Sequence, residues 1–552
     1  MSTLPRRAGQ TTPRVPRPAL IALLFLGAML LRALAAGTSY LPILDDSIQY
    51  ISYPTSQDYG ALIRQEGLFA SRPLAAIMDL FVVGQMRGAL IVPVLLLSAL
   101  HGLSGVLFWR LFEKRFGTGT VFAVLYALLP LGVEGTYWLS ASSRIVPGLL
   151  FTALAATVLD DYLAQGGGWR VALYAPLMLL SYGFYEQILV LSVTLAALQF
   201  LSSVRKTRRA WAALWALPMA AVYFTFTGLF STAAGAISAR MELALPTSAW
   251  YFDSFLPEIV RQIGAAFLKG GARTLLFGFW RGLTGSLSVG GIVYLLLAAG
   301  AGAGLFFLTR PTGTRRVTRL SGWSGALVWG VLLGLAPVTP YFVIANPYFS
   351  LRATVASFVG AGLLVDLALR AVLRRGTAYA AVCGGLMTVC LVAGASEVRD
   401  FQTGARADEA LAQAILTRAD EMSGRVGILG IEEFATAEQN YAYHEHVASA
   451  GASEWALYGK LVAVSGGELD FSPVPLATGG FSFYHGWNTQ TKRLSGFDEI
   501  WAWDTGTQTL EELTAVPRAG GGEHDFDLYR ADGTPWGAVW EEDGYGYVKI
   551  FE

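Results

Sequence analysis

The chain is poor in charge, in cysteine and in histidine. Charged residues fill only 14% of its 552 positions while hydrophobic types fill 54%, and mean hydropathy is +0.47. An ordinary soluble domain carries about 25% charge, so this scarcity excludes a soluble globular enzyme, a disordered chain and a nucleic-acid binder with a basic face. The two cysteines, Cys383 and Cys390, both fall in the last apolar run, which leaves no disulfide framework. Of the five histidines, His444 and His446 flank Glu445 at a spacing that a strand could turn into two metal ligands, but nothing completes a set. His101, His485 and His524 stand alone. The chain has no GxxxxGK[ST], no GxGxxG behind a strand and no GxSxG, which argues against nucleotide hydrolysis and dinucleotide redox chemistry.

What remains is apolar sequence. A membrane helix needs roughly 20 mostly apolar residues. Such runs occur about eleven times, at roughly 19–37, 88–110, 119–134, 144–163, 171–185, 187–203, 210–229, 286–308, 322–340, 351–372 and 376–396. The third, fifth and ninth are short for a full crossing, as in helices broken around a polar cavity. The spacing therefore predicts a mainly α, polytopic bundle over 1–396, followed by a soluble domain over 397–552. Residues 1–396 hold 30 of the 40 Lys and Arg but 14 of the 40 Asp and Glu, so a basic membrane part precedes an acidic tail.

Basic clusters fix the expected orientation. Arg6, Arg7, Arg14 and Arg17 precede the first run, and eleven crossings put Lys114 with Arg115, Arg205 to Arg209, Arg310 to Arg319, and Arg370 to Arg375 on the same side. Cytoplasmic loops carry such an excess, so the N-terminus is expected inside and the tail outside. The first run lacks a clear small-residue cleavage site and reads as an uncleaved anchor. An Ala-, Gly- and Arg-rich composition suggests a prokaryote with GC-rich DNA, which makes the membrane a plasma membrane. Two long outer loops result, at about 38–87 and 230–285, and both carry amphipathic stretches (Asp58 to Phe69, Pro257 to Phe267) suited to lying on the membrane surface. In the tail, Asp400 to Asp420 predicts a helix. Strands are expected at Arg425 to Ile431 and within FDEIWAWD, DFDLYR and GYGYVKIFE, giving an α/β domain. Its tryptophans (Trp487, Trp501, Trp503, Trp536, Trp540) fit either a small β core or a carbohydrate surface.

Candidate chemistry gathers at the outer boundaries. Asp45 and Asp46 in LPILDDSIQY follow the first span, where an ionisable group costs several kcal/mol unless paired, hydrated or metal-bound. One could serve as general base with the other orienting it, or the two could hold a divalent cation such as Mg or Mn. The plainer alternative is a helix cap. Glu186, with Tyr185 beside it, lies at the break between two short runs. Glu134 precedes the turn GTYWLSASSR, in which Tyr137 and Trp138 offer either interface aromatics or a surface for a sugar. Arg72, Arg144 and Arg352 fall at outer boundaries, and a guanidinium fork suits a phosphate; lipid headgroups are the alternative. Asp366 and Arg370, one helical turn apart near the inner boundary, read as a structural pair.

An acidic pair in the first outer loop, amphipathic loop helices, short paired spans with an outer glutamate, a late outer Arg and a soluble domain after the last span together resemble the GT-C superfamily of membrane glycosyltransferases. The resemblance covers residues 1 to about 396. It implies a sugar donor on a polyprenyl phosphate reaching the site through the bilayer, and a glycan or protein acceptor of the cell envelope bound from the aqueous side. It further implies Asp45 or Asp46 as catalytic base, Arg352 as a phosphate contact, Glu186 as a supporting carboxylate, and inversion at the anomeric carbon. The chain lacks a WWDYG-like signature, which favours a monosaccharide donor over a preassembled glycan. A transporter or flippase, and a membrane scaffold or receptor with an outer binding domain, are the rival classes. The first predicts ionisable residues near the bilayer centre and repeated halves.

Overall fold

The computed structural model describes residues 17–551 apart from 57, 66–67, 71, 232–242, 312–322, 346–347, 374, 433–447, 478–480 and 483–491. The histidine pair at 444 and 446, His485, Trp487 and several of the expected basic residues (Arg6, Arg7, Arg14, Arg315, Arg316, Arg319, Arg374) lie outside the described residues.

Each of the eleven apolar runs forms a helix. These are α1 (Arg17–Ala33), α2 (Ile91–Phe116), α3 (Thr120–Leu128), α4 (Leu139–Gln165), α5 (Gly168–Tyr182), α6 (Glu186–Ser203), α7 (Ala216–Ser231), α8 (Val289–Thr309), α9 (Trp323–Leu335), α10 (Phe358–Val372) and α11 (Gly376–Thr417). Among the described residues, eight helical stretches are long and apolar enough to cross a membrane. Those that fall short are α1 with 17 residues, α3 with 9 and α5 with 15. The third and fifth runs are thus short as expected, whereas the ninth continues as a tighter helix to Phe342 and reaches 20 residues. Helix α3 stops because Pro130 follows Leu129, and a residue before proline is driven out of the α region. Its loose end is then capped from elsewhere: the buried Arg32 of α1 donates to the Ala127 carbonyl (3.2 Å) and to Thr136 Oγ1 (2.8 Å). A guanidinium at a helix C-terminus satisfies orphan carbonyls and meets the negative end of the dipole.

The bundle has two chemically distinct ends. At one, Arg115 pairs with Asp160 (2.5 Å) and donates to Ser202 (3.2 Å), Arg209 reaches the Ala164 carbonyl (3.3 Å), and Arg370 reaches that of Gly117. Three of the basic turns expected on a common side, those at 114–115, 205–209 and 370–375, thus lie at the same end. Asp366 there accepts from Gly119 N (2.9 Å) and from Tyr379, a structural role wider than its expected pairing with Arg370. The opposite end gathers the first loop, the start of α4 and α6, the Leu351–Ser357 turn and the tail.

The charge step near 397 falls inside α11, a single helix of 42 residues that runs from the bundle into the tail. It leads to an eight-stranded sheet ordered β2-β1-β4-β5-β6-β7-β8-β3, comprising β1 (Gly424–Ile431), β2 (Phe471–Ala477), β3 (Phe481–Ser482), β4 (Glu499–Asp504), β5 (Thr509–Pro517), β6 (Phe526–Arg530), β7 (Pro535–Glu542) and β8 (Tyr545–Ile550). Strands β2, β1 and β4 are parallel, and the rest form an antiparallel meander. Among the described residues, one α-helix, α12 (Glu454–Ser465), lies between β1 and β2. Alternation along β4 sends Trp501 and Trp503 to one core with Leu411, Ile415 and Leu457, and Ile500 and Ala502 to the other with Leu528 and Trp536. Trp501, Trp503 and Trp536 are thus core residues.

Candidate functional site

The first turns of α4 form the platform of the site. Ser140, Ser143 and Arg144 fall at helical spacing on one face, and each holds one residue of the first loop. Ser140 donates through both its backbone N (2.9 Å) and its hydroxyl (2.8 Å) to Asp46 Oδ1. Ser143 meets the Tyr50 hydroxyl (2.9 Å). Arg144 Nε lies 3.9 Å from Asp79 Oδ2.

Asp46 is fully buried and fully used. Its Oδ2 accepts from the Tyr40 hydroxyl (2.6 Å) and from Ile43 N (3.2 Å), so four donors occupy the carboxylate. Two of them belong to the N-terminus of α4, where unpaired N–H groups and the dipole favour an anion. The cap that the sequence allowed for is therefore made, but to a helix some ninety residues away. Burial pushes the Asp46 carboxyl up to about 7, against the pull of Tyr40, Ser140 and Ile43. The knot is closed by Leu139 N donating to Tyr40 Oη (3.0 Å) and Trp138 Nε1 donating to the Ile43 carbonyl (3.3 Å). Between Ile43 and the two aspartates, Leu44 has φ 46°, a conformation costing a bulky residue about 1–3 kcal/mol.

Asp45 sits one residue further on, half-buried, and its carboxylate makes no hydrogen bond to the described residues. Near it is Asp79, a buried carboxylate at the end of the Pro73–Met78 helix that accepts from Tyr50 (3.2 Å). Burial raises the Asp79 carboxyl, Arg144, Ser143 and Tyr50 pull it back, and Asp45 adds to the rise, which places the two carboxylates within electrostatic reach. Sequence reading passed over Asp79, although a lone acid inside PLAAIMDLFVVG is the signal that burial in an apolar segment demands a partner.

A second group adjoins the first across Trp138. Leu74 N (3.0 Å) and Ala75 N (3.4 Å) donate to the Gly183 carbonyl, which docks the Pro73–Met78 helix beside the start of α6. Arg72, the residue before Pro73, thereby meets Glu186: Nε lies 3.0 Å from Oε1 and Nη2 3.0 Å from Oε2. The same guanidinium lies 4.4 Å over the Tyr185 ring, and its Nη1 makes no hydrogen bond to the described residues. Tyr341 lies within electrostatic reach of Tyr185. Arg352 lies 5.1 Å over the Trp138 ring and close enough to Arg72 to oppose its positive charge. Glu134 is buried in the single turn before Tyr137, and the next residue, Gly135, packs against the backbone of Arg352.

The ten residues proposed from the sequence for the outer site (Asp45, Asp46, Arg72, Glu134, Tyr137, Trp138, Arg144, Tyr185, Glu186 and Arg352) thus lie at one end of the bundle, in two adjoining groups. Their exposures divide them. Tyr137 and Trp138 are buried, with Tyr137 edge-on to Tyr40 (5.5 Å), so their rings are walls of the site and not an open platform. Arg72 and Glu186 keep 28% and 38% of their side chains exposed, and Asp45 is half-buried, so these remain reachable. For a divalent cation the fit is partial: Asp46 has no lone pair left, which leaves Asp45 and Asp79, and among the described residues no three of His, Cys, Asp and Glu group as ligands. Comparison with models of known protein families gave no match, and neither did comparison with curated proteins.

Proposed function

We propose that the chain is a membrane glycosyltransferase of the GT-C type, moving a sugar from a polyprenyl-phosphate donor to a hydroxyl of a cell-envelope acceptor. The observation that carries this reading is that the loop bearing the reachable Asp45 carboxylate and the Arg352 guanidinium meet the same Trp138, through Ile43 and through the ring face, with Arg72 within electrostatic reach of Arg352. Asp45 is the base that takes the acceptor proton, because Asp46 is occupied in holding the loop. The acceptor oxygen attacks the anomeric carbon as the bond from that carbon to the phosphate oxygen breaks. The lipid phosphate leaves with the electron pair, and its charge is met by Arg72 Nη1 and Arg352. Glu186 and Tyr185 hold Arg72 in place. Direct displacement of this kind inverts the anomeric centre. Asp79 and Arg144 border the base and, with Glu134, Tyr137 and Trp138, form the supporting wall. The reaction as written needs no metal; a Mg or Mn ion would find Asp45 and Asp79 as its oxygen donors.

With the basic end of the bundle in the cytoplasm, as the excess of Lys and Arg favours, the site and the tail face the outside of a plasma membrane. The ionisable groups gather at a bundle end, which favours a transferase over a transporter with a midplane site. The test incubates purified wild type and Asp45→Asn with a panel of radiolabelled polyprenyl-phosphate sugars and envelope extract. Transfer by wild type, reduced about 10²- to 10⁴-fold by Asp45→Asn at unchanged folding, is expected. Equal transfer by both would refute the assignment of the base.

A further inference from the structure

We propose that the C-terminal domain positions the Asp45 loop, with α12 as the clamp and Gly459 as its contact point. A Cβ at Gly459 would lie 2.3 Å from Ile48 Cγ1 and 3.4 Å from Ile48 N, so the bare backbone of α12 rests directly on the residue three past Asp45. Ala456, one turn earlier on α12, belongs to the same buried apolar cluster as Tyr40, Ile43, Leu44 and Tyr50. The clamp is itself anchored to α11. Buried Lys460 pairs with Glu409 (2.7 Å), and Ala450 N, in the turn leading into α12, donates to Asp408 (2.9 Å). The same helix α11 also grips the start of the loop, since Gln402 accepts from Leu41 N (3.1 Å).

The loop is thus held from both sides: by α4 through Asp46 and Tyr50, and by the tail through Leu41 and Ile48. Between these holds stands Leu44 at φ 46°, a conformation that persists only where its surroundings over-determine it. Releasing the tail's hold lets Leu44 return to an ordinary backbone angle and turns Asp45, whose carboxylate has no hydrogen bond to the described residues to fix it, away from the phosphate-facing group. Gly459 and Lys460 are therefore positioning residues. The activity arm of the test rests on the glycosyltransferase reading, and the exchange arm does not.

Gly459→Ala is the informative substitution. Alanine is the better helix former, so α12 is retained while its new methyl displaces Ile48. Ile48→Ala removes the atom it strikes. The full-length protein in detergent is compared as wild type, Gly459→Ala, and Gly459→Ala with Ile48→Ala. The expected result is amide exchange over residues 41–52 at least tenfold faster in Gly459→Ala and back within threefold of wild type in the double variant. Transfer should follow it, with kcat lowered at least tenfold, donor KM within threefold, and kcat restored in the double variant. As a second perturbation remote from the loop, Lys460→Met should accelerate the same amides. Unchanged exchange over 41–52 in both Gly459→Ala and Lys460→Met, or faster exchange that Ile48→Ala fails to reverse, would overturn the clamp. If wild type transfers none of the sugars, the transferase reading fails and the exchange results still decide the clamp.

Discussion

Substituting each of the adjacent aspartates by asparagine should separate holding the site from acting in it. In Asp46→Asn one oxygen becomes an NH2 group. If that group replaces Oδ1 it meets Ser140 N–H, and if it replaces Oδ2 it meets Ile43 N–H. Neither backbone donor can turn into an acceptor, so either orientation leaves two buried donors facing each other. An unsatisfied buried donor costs about 1–3 kcal/mol, so roughly 2–5 kcal/mol of stability should be lost. Asp45 is half-buried with a free carboxylate, and Asp45→Asn should stay within about 0.5 kcal/mol of wild type. The assay pairs a thermal-unfolding midpoint in detergent with sugar transfer per folded molecule. Asp46→Asn should lower the midpoint, whereas Asp45→Asn should keep the midpoint and lose transfer. A wild-type midpoint for Asp46→Asn would refute the four-donor account of that residue.

Three further substitutions probe other parts of the molecule. Leu44→Ala should cost about 2–4 kcal/mol for the lost side chain while keeping the strained angle, whereas Leu44→Gly removes the strain and should be more stable than Leu44→Ala by roughly 1 kcal/mol, read from the same midpoints; the reverse order would show that Leu44 is unstrained. Arg72→Lys keeps the charge but breaks the fork on Glu186, so donor KM should rise roughly ten- to thirtyfold with the midpoint nearly unchanged. Burial pushes the Asp408 carboxyl from 3.8 up to about 7, with Lys460 and the Ala450 N–H pulling back and Glu409 adding to the rise. Because the folded state then binds more protons, this group's stabilisation is complete below about pH 4 and is lost as pH rises to about 7, by at most roughly 4 kcal/mol. Asp408→Asn should flatten the midpoint against pH over that range, and an unchanged profile would argue against the raised carboxyl.

Helices were the most legible part of the chain because a span is written in local hydropathy: each of the eleven apolar runs found from sequence became a helix. What sequence could not give was how far each helix continues. Helix α11 crosses the charge step without a break, since nothing near Ser396 or Glu397 stops a helix. In the tail, β1, β4, β6 and β8 were anticipated from their alternation. Strand β2 escaped because Pro473 and Pro475 argue against a strand, yet β2 is an edge, where a missing N–H does no harm. The acids and guanidiniums of the site were visible because charge is rare near the ends of apolar runs. Their roles were not, because they depend on partners distant in sequence: Asp45 and Asp46 look alike in the chain and differ only once Ser140 and Tyr40 reach the second. The roles of Tyr50 and Ser143, which meet each other across the same gap in sequence, are illegible for the same reason.

The contact between Gly459 and Ile48 also bears on how the protein is made. The loop carrying both aspartates leaves the ribosome about 410 residues before the helix that rests on it. At about 5–20 residues per second, the loop waits on the order of 20–80 s for its brace. A nascent chain can thus insert the intervening spans while this loop still lacks that support, so the site is completed only once the tail helix has been made.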